Sequence, residues 1–128
     1  MIRAMDNDRP IFLQIAELIE NSIIDGSLVE EAQVPSTNEL AAFHRINPAT
    51  AAKGINQLVS DGTLYKRRGI GMFVAGGARD RLRERRRERF TEQYVEPLLA
   101  EARKLGIGQD ELVKMIDSSS LGVGRDLG

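Results

Sequence analysis

The chain has 128 residues and a formal net charge of -1; 41% of the residues are hydrophobic and none is cysteine. This length suits one compact domain, or a small domain with a short appendage, and no segment approaches the roughly 18 apolar residues of a membrane span. Disulfides, thiol catalysis and cysteine-ligated metals are excluded, and Asp6 and Asp8 without an apolar h-region argue against a secretory signal, so we expect a cytoplasmic protein.

The first predicted element is an amphipathic helix. Its apolar residues follow the spacing of one helical face: Phe12, Ile15, Ala16, Ile19 and Ile23. Asp8 and Pro10 precede it as capping and first-turn residues, and Gly26 follows as a stop signal.

The stretch "PSTNEL" predicts the start of a second helix. Ser36 and Glu39 have the spacing of a capping box, in which each side chain bonds the other residue's backbone N–H. Leu40, Ala41 and Phe43 supply a short apolar face. The helix must be brief, because "HRINP" interrupts the pattern.

A third helix is predicted to begin at Asn47 as the cap, with Pro48 in the first turn. Its buried stripe consists of Ala51, Ile55, Leu58 and Val59. Its outer face is polar and presents Thr50, Lys53, Asn56 and Gln57. The pair Asp61-Gly62 ends the helix.

A basic β-hairpin follows. The stretch "TLYKR" predicts one strand, "RGIG" a turn and "MFVA" the returning strand. Two helices joined by a tight turn, with a hairpin after them, form a winged helix-turn-helix. Residues 33–75 carry five basic side chains against two carboxylates, and local charge rather than net charge decides whether a surface can meet phosphates.

Beyond Gly76-Gly77 a long amphipathic helix of about 25 residues is predicted, with Pro97 placed to kink it. Its apolar stripe is Leu82, Phe90, Tyr94, Leu98, Ala102 and Leu105. A last short helix runs from Gln109 to about Ser118. One short helix cannot bury this stripe, so we predict a homodimer interface; a small-molecule cleft on the stripe is the alternative.

These elements give a mainly α fold with a small β-hairpin. The predicted divisions are a winged helix-turn-helix domain at 8–76, a two-helix dimerisation domain at 77–118, and a disordered tail at 119–128.

Taken together, "PSTNEL", "NPATAAK", the leucine before "DG" and "RGIGMFV" resemble the GntR family of transcriptional regulators over roughly residues 10–118. The short helical tail is similar to the YtrA-type subfamily, in which two helices mediate dimerisation. The resemblance implies a homodimeric regulator, more often a repressor, that binds a pseudo-palindromic operator in double-stranded DNA. It leaves open a small-molecule effector, and it implies no cofactor.

The resemblance assigns DNA contacts to three sets of residues. They are Ser36, Thr37 and Asn38; Asn47, Ala49, Thr50 and Lys53; and Lys66, Arg67, Arg68, Gly69 and Gly71. Asn38 and Pro48 replace arginines that are common in the family, so a different base preference is expected, since asparagine pairs with adenine and arginine with guanine.

Other constellations carry less chemistry. Residues 79–89 hold seven arginines interleaved with Asp80, Glu84 and Glu88, which favours a self-paired, solvated helix face over auxiliary phosphate contacts. His44 is the only histidine, so no metal site is predicted. No catalytic constellation is present, which argues against an enzyme. A winged-helix module for protein–protein assembly is the alternative function.

Overall fold

The computed structural model describes residues 8–119. Its elements, in chain order, are α1 (Ile11–Ile24), α2 (Thr37–His44), α3 (Pro48–Ser60), β1 (Leu64–Arg67), β2 (Gly71–Val74), α4 (Ala78–Phe90), a π-helical segment (Thr91–Val95), α5 (Glu96–Lys104) and α6 (Gln109–Ser119). The predicted mainly α fold with one β-hairpin is confirmed. No helix in the described range is long and apolar enough to cross a membrane.

Two predictions concern residues that fall wholly or partly outside that range. The secretory-signal prediction rests partly on Asp6, which lies outside the described residues. Of the predicted tail at 119–128, only Ser119 is described, and it is the last residue of α6. The remaining tail residues lie outside the described range.

Helix α1 buries the predicted face. Ile15, Ala16, Ile19 and Ile23 enter the core, because residues three or four apart lie on one side of a helix. The predicted cap Asp8 is wrong: Pro10 holds the capping position, and no side chain caps this end.

Helix α2 begins as predicted, at the capping box of Ser36 and Glu39. Leu40 and Ala41 are buried, but Phe43 is 61% exposed. The helix is only eight residues long, so its buried face is small, and the Phe43 ring packs edge-on against its neighbour His44 instead of the core.

Helix α3 also follows the prediction. Asn47 caps it, Pro48 is its first residue, and its core residues are Ala51, Ile55 and Leu58, with Val59 partly buried against them. The hairpin that follows is antiparallel, with Leu64 opposite Val74 and Arg67 opposite Gly71.

A short stretch that the sequence did not predict flanks the other edge of β2. Glu31 N donates to Val74 O at 2.8 Å, and Val34 N donates to Met72 O at 2.9 Å. Gln33 forms an isolated β-bridge with Phe73. The returning strand of the hairpin is therefore held on both sides.

The chain forms two compact units, which divide between Arg85 and Arg86, within α4. The predicted boundary lay earlier, at Gly76-Gly77. Ala78 and Leu82 belong to the hydrophobic core that α1 and α3 build, which explains why the first unit extends into α4. Leu82, only 3% exposed, is therefore a core residue and cannot serve the predicted dimer interface.

In the second unit, Ala102 and Leu112 are buried. Ala102 was also predicted at the interface, and its burial within this unit leaves little of it for a partner. The π-helical segment directly precedes α5, whose first turn contains Pro97. Proline has no N–H for the carbonyl one turn earlier, and a π-helical turn is one of the local adjustments found at such points.

Candidate nucleic-acid interface

Three sets of predicted DNA-contacting residues lie in the first unit. They occupy the start of α2, the start of α3 and the tip of the hairpin. We call the whole hairpin, residues 64–74, the wing. Helices α2 and α3 pack against each other, and α3 also contacts β1. All three sets are therefore carried by one packed core.

The start of α2 has free backbone donors. The Ser36 hydroxyl accepts from Glu39 N at 3.0 Å, and the Glu39 carboxylate accepts from Ser36 N at 2.8 Å. No hydrogen bond within the described residues uses the N–H groups of Thr37 and Asn38. Free N–H groups at a helix N-terminus attract anions, and the Asn38 side chain beside them is exposed.

The capping box also lowers the pKa of the Glu39 carboxyl. The Ser36 backbone N–H, followed by its hydroxyl, holds the pKa of the Glu39 carboxyl below its ordinary value of 4.5. Glu39 is therefore charged at neutral pH, and its charge is committed to the cap of α2.

In the first turn of α3, the backbone N–H groups of residues 48–50 are either bonded within the protein or absent. Asn47 Oδ1 accepts from Ala49 N at 2.7 Å, Thr50 N donates to Asn47 O at 2.9 Å, and Pro48 has no N–H. Reading an adenine needs both the oxygen and the nitrogen of an asparagine amide, and one lone pair of Asn47 Oδ1 is already used by the Ala49 N–H. Ala49 is exposed and Thr50 is half-buried.

Lys53, one turn further along α3, is exposed but has a partner in the protein. Its Nζ lies 4.1 Å from the centre of the Phe12 ring on α1. Such a cation–π contact at an exposed site is worth about 0.5–1 kcal/mol. A phosphate or guanine contact by Lys53 would therefore replace this contact with Phe12.

The wing ends in a tight basic turn. Ile70 N donates to Arg67 O at 2.9 Å, and Gly69 has φ of +76°, a conformation that favours glycine. Lys66, Arg67 and Arg68 are exposed. The Arg67 guanidinium lies 5.0 Å from the Phe73 ring centre, whereas Arg68 has no partner in the described part of the chain.

The base of the wing is held by side chains. Tyr65 and Phe73 stack with ring centres 5.9 Å apart. The Tyr65 hydroxyl donates to Glu31, and that hydrogen bond raises the pKa of Tyr65. Gln33, which was not among the predicted site residues, donates from Nε2 to Ile70 O at 2.9 Å.

The arginine run of α4 differs from the prediction. None of Asp80, Glu84 and Glu88 forms a salt bridge in the described structure, so the self-paired face is wrong. Arg79 Nε instead donates to Ile24 O at 3.0 Å, and the Arg81 guanidinium donates to two backbone carbonyls. These two arginines fasten the start of α4 to the first unit.

The second unit exposes much of the remaining predicted stripe. Phe90 is 55% and Tyr94 63% exposed, with their ring centres 5.6 Å apart; Leu98 and Leu105 are also exposed. Helix α6 adds exposed apolar residues that were not predicted from the sequence, which are Val113, Met115 and Ile116. Helices α5 and α6 form a groove of about 510 Å³ lined by Leu98, Leu105, Met115 and Ile116 among others.

Within residues 8–119, no three histidine, aspartate or glutamate side chains lie close enough together to hold a metal ion.

Comparison with known proteins identifies the family. Residues 12–74 match the family described as "Bacterial regulatory proteins, gntR family". A solved structure from Bacteroides thetaiotaomicron, described as a transcriptional regulator of the GntR family, is 35% identical with a TM-score of 0.65, over 84% of this chain and 94% of that one. The chain belongs to the GntR family.

Two further relatives are informative about the domain architecture and about DNA binding. The transcriptional repressor YtrA of Bacillus subtilis is 27% identical over 89% of this chain and 87% of its own length. This near-complete overlap confirms the resemblance to the short YtrA-type regulators. The DNA-binding domain of AraR, solved in complex with an operator, is 32% identical with a TM-score of 0.51, over 59% of this chain and 92% of that domain.

Proposed function

We propose that this chain is a cytoplasmic, homodimeric repressor that binds a pseudo-palindromic DNA operator through the first unit. The observation that carries the proposal is the wing tip, where Arg68 lies on a paired hairpin and has no partner among residues 8–119. A guanidinium with unused donors suits a phosphate or a narrow minor groove.

The start of α2 supports the same function by a different chemistry. The free N–H groups of Thr37 and Asn38 can bind one backbone phosphate, because the helix dipole favours negative charge there. Phosphate contacts fix the register of a protein on DNA without reading sequence. Base reading is assigned to Ala49 and Thr50, whose methyl groups fit a thymine methyl, and to the Asn38 amide, which fits adenine.

The second unit supports dimerisation. Its exposed apolar side chains come from both α5 and α6, and an apolar surface shared by two helices is typical of an interface. In a two-fold dimer the same surface meets itself, and two reading heads then face two half-sites of an inverted repeat. The proposed division is thus a reading unit up to Arg85 and a dimerisation unit from Arg86.

Selection of bound duplexes from a random DNA library tests the function directly. The selection is run at about 150 mM salt, close to physiological ionic strength. The proposal expects an enriched inverted repeat, and the half-site spacing would give the separation of the two heads. A folded dimer that enriches no sequence would contradict it.

Protein docking is the second candidate, and the exposed Phe43 ring favours it. Phe43 borders a groove of about 580 Å³ with Leu18 and Leu28. Salt separates the two functions: DNA affinity falls by about 0.9 log units per log unit of salt for each phosphate contact, while docking in an apolar groove does not weaken with salt in this way.

A further inference from the structure

Gln33 lies between two of the proposed DNA-contacting elements. Its backbone is in the stretch that pairs with β2, opposite Phe73, and three residues later the chain reaches the Ser36 cap of α2. Its side chain extends to the wing tip, where Nε2 donates to Ile70 O at 2.9 Å. One residue therefore connects the approach to α2 with the tip of the wing.

The wing is shaped to receive this amide. A Cβ atom at Gly71 would lie 2.6 Å from Gln33 Nε2, so a side chain there would displace the amide from its position. Gly71 also has φ of +146°, which side-chain-bearing residues rarely adopt. The glycine that ends the turn thus provides the space in which Gln33 binds.

The bond acts on where the tip points, not on whether the turn forms. The turn is already closed by Ile70 N donating to Arg67 O at 2.9 Å. A two-stranded hairpin is weak by itself, and its tip extends beyond the backbone pairs that Glu31 and Val34 make with β2. Of these contacts, the Gln33 amide is the one that reaches the turn itself.

We propose that Gln33 is a positioning residue, which holds the wing tip in its DNA-binding orientation relative to the start of α2. This inference rests on the proposed DNA-binding function. Ordering the tip before binding reduces the conformational entropy that binding would otherwise cost. Because glutamine is uncharged, its effect is on the geometry of Arg68 and not on the charge that the phosphates meet.

The first test needs no DNA. Gln33→Met keeps an unbranched side chain of similar length and removes the donor. The proposal expects the amide ¹⁵N relaxation of Gly69 and Ile70 to show increased mobility in Gln33→Met, and Gln109→Met, a matched change at an exposed glutamine of α6, to leave the tip unchanged. Tip amides as ordered in Gln33→Met as in wild type would overturn the proposal.

The second test measures operator affinity in a double-mutant cycle. Gln33→Met should weaken binding about 3- to 10-fold, because binding would then have to order the wing tip, with an unchanged thermal midpoint of unfolding. In an Arg68→Ala background the same change should have a smaller effect, since Gln33 acts through the tip that carries Arg68. Additive losses would show that Gln33 acts elsewhere and would overturn the inference.

The two tests separate the two proposals. If the wild-type dimer selects no operator, the proposed function fails, and the role of Gln33 in DNA binding fails with it. The relaxation measurement still decides whether Gln33 holds the tip. If wild type selects an operator and Gln33→Met binds it equally well, only the inference about Gln33 fails.

Discussion

Arg81 and Gly62 are joined by a hydrogen bond of 3.0 Å, from the guanidinium Nη2 of α4 to the carbonyl that follows the end of α3. The other terminal nitrogen, Nη1, donates to Gly76 O at 3.1 Å. One planar fork therefore spans the turn before the wing and the turn after it. This arrangement fixes both ends of the hairpin to the start of α4.

Arg81→Ala should lower the free energy of unfolding by about 1–2 kcal/mol, since two hydrogen bonds to one charged group are lost. Arg81→Lys should restore little of the lost free energy of unfolding, because an ammonium group lacks the planar fork that reaches both carbonyls. Urea unfolding followed by circular dichroism measures both variants. Arg83→Ala is the control, because Arg83 is exposed on the same helix and has no such contact; equal stability of the Arg81→Ala and Arg83→Ala variants would contradict the fork.

Gly54→Ala should destabilise the first unit, although alanine is the better helix former. A Cβ atom at Gly54 would lie 2.7 Å from Phe12 O and 3.1 Å from Ile15 Cγ2, so α1 and α3 would have to separate. The expected loss is about 1–3 kcal/mol, as for other overpacked cores. Asn56→Ala at an exposed position of α3 reports the propensity gain alone, and a Gly54→Ala protein as stable as wild type would refute close packing here.

Local signals explain why the helices could be predicted. The Ser36 and Asn47 caps and the spacing of Ile15 and Ile19 depend on neighbours within one or two helical turns. The pairing of Gln33 with Phe73 joins residues far apart in sequence, and no local signal specifies which strand edge such a stretch will meet. It therefore became visible only in the structure.

The apolar stripe predicted as a dimer interface also shows that local patterns do not specify long-range contacts. Leu82 and Phe90 are eight residues apart and fit one helical face, so periodicity assigned them to one surface. The first unit extends to Arg85. Leu82 is buried in the core of that unit, whereas Phe90 is exposed. Periodicity indicates which side of a helix is apolar, but not which partner covers each turn.

The capping box predicts a pH dependence of stability. Because the folded-state pKa of Glu39 lies below its ordinary value of 4.5, its charge stabilises the fold above that pH, and the contribution is lost as the pH falls through the lowered pKa. Wild type should therefore lose stability relative to Glu39→Gln as the pH is lowered below 4.5. Urea unfolding across this range measures the difference, with Glu88→Gln as the control; a gap that is constant with pH would contradict the assignment.

Arg68→Ala should weaken operator binding by about 1–3 kcal/mol and reduce the salt slope by about one phosphate. The fold should be unaffected, since Arg68 has no partner among the described residues. Fluorescence anisotropy at several salt concentrations gives both quantities. Lys114→Ala removes the same charge from α6 of the second unit and should leave the salt slope unchanged. An equal loss of affinity in both variants would show that Arg68 contributes only non-specific positive charge.

Phe90→Asp combined with Leu98→Asp should convert the proposed dimer into monomers. Both side chains are exposed apolar residues of the second unit, and two carboxylates placed in an apolar interface would each be buried without a partner. Sedimentation velocity measures the oligomeric state, and circular dichroism checks that the helices persist. Gln93→Asp with Gln109→Asp adds the same charge at exposed polar positions and should remain dimeric. If the protein with both Phe90 and Leu98 substituted still sediments as a dimer, the interface lies on other residues. The exposed side chains of Val113 and Ile116 on α6 would be tested next.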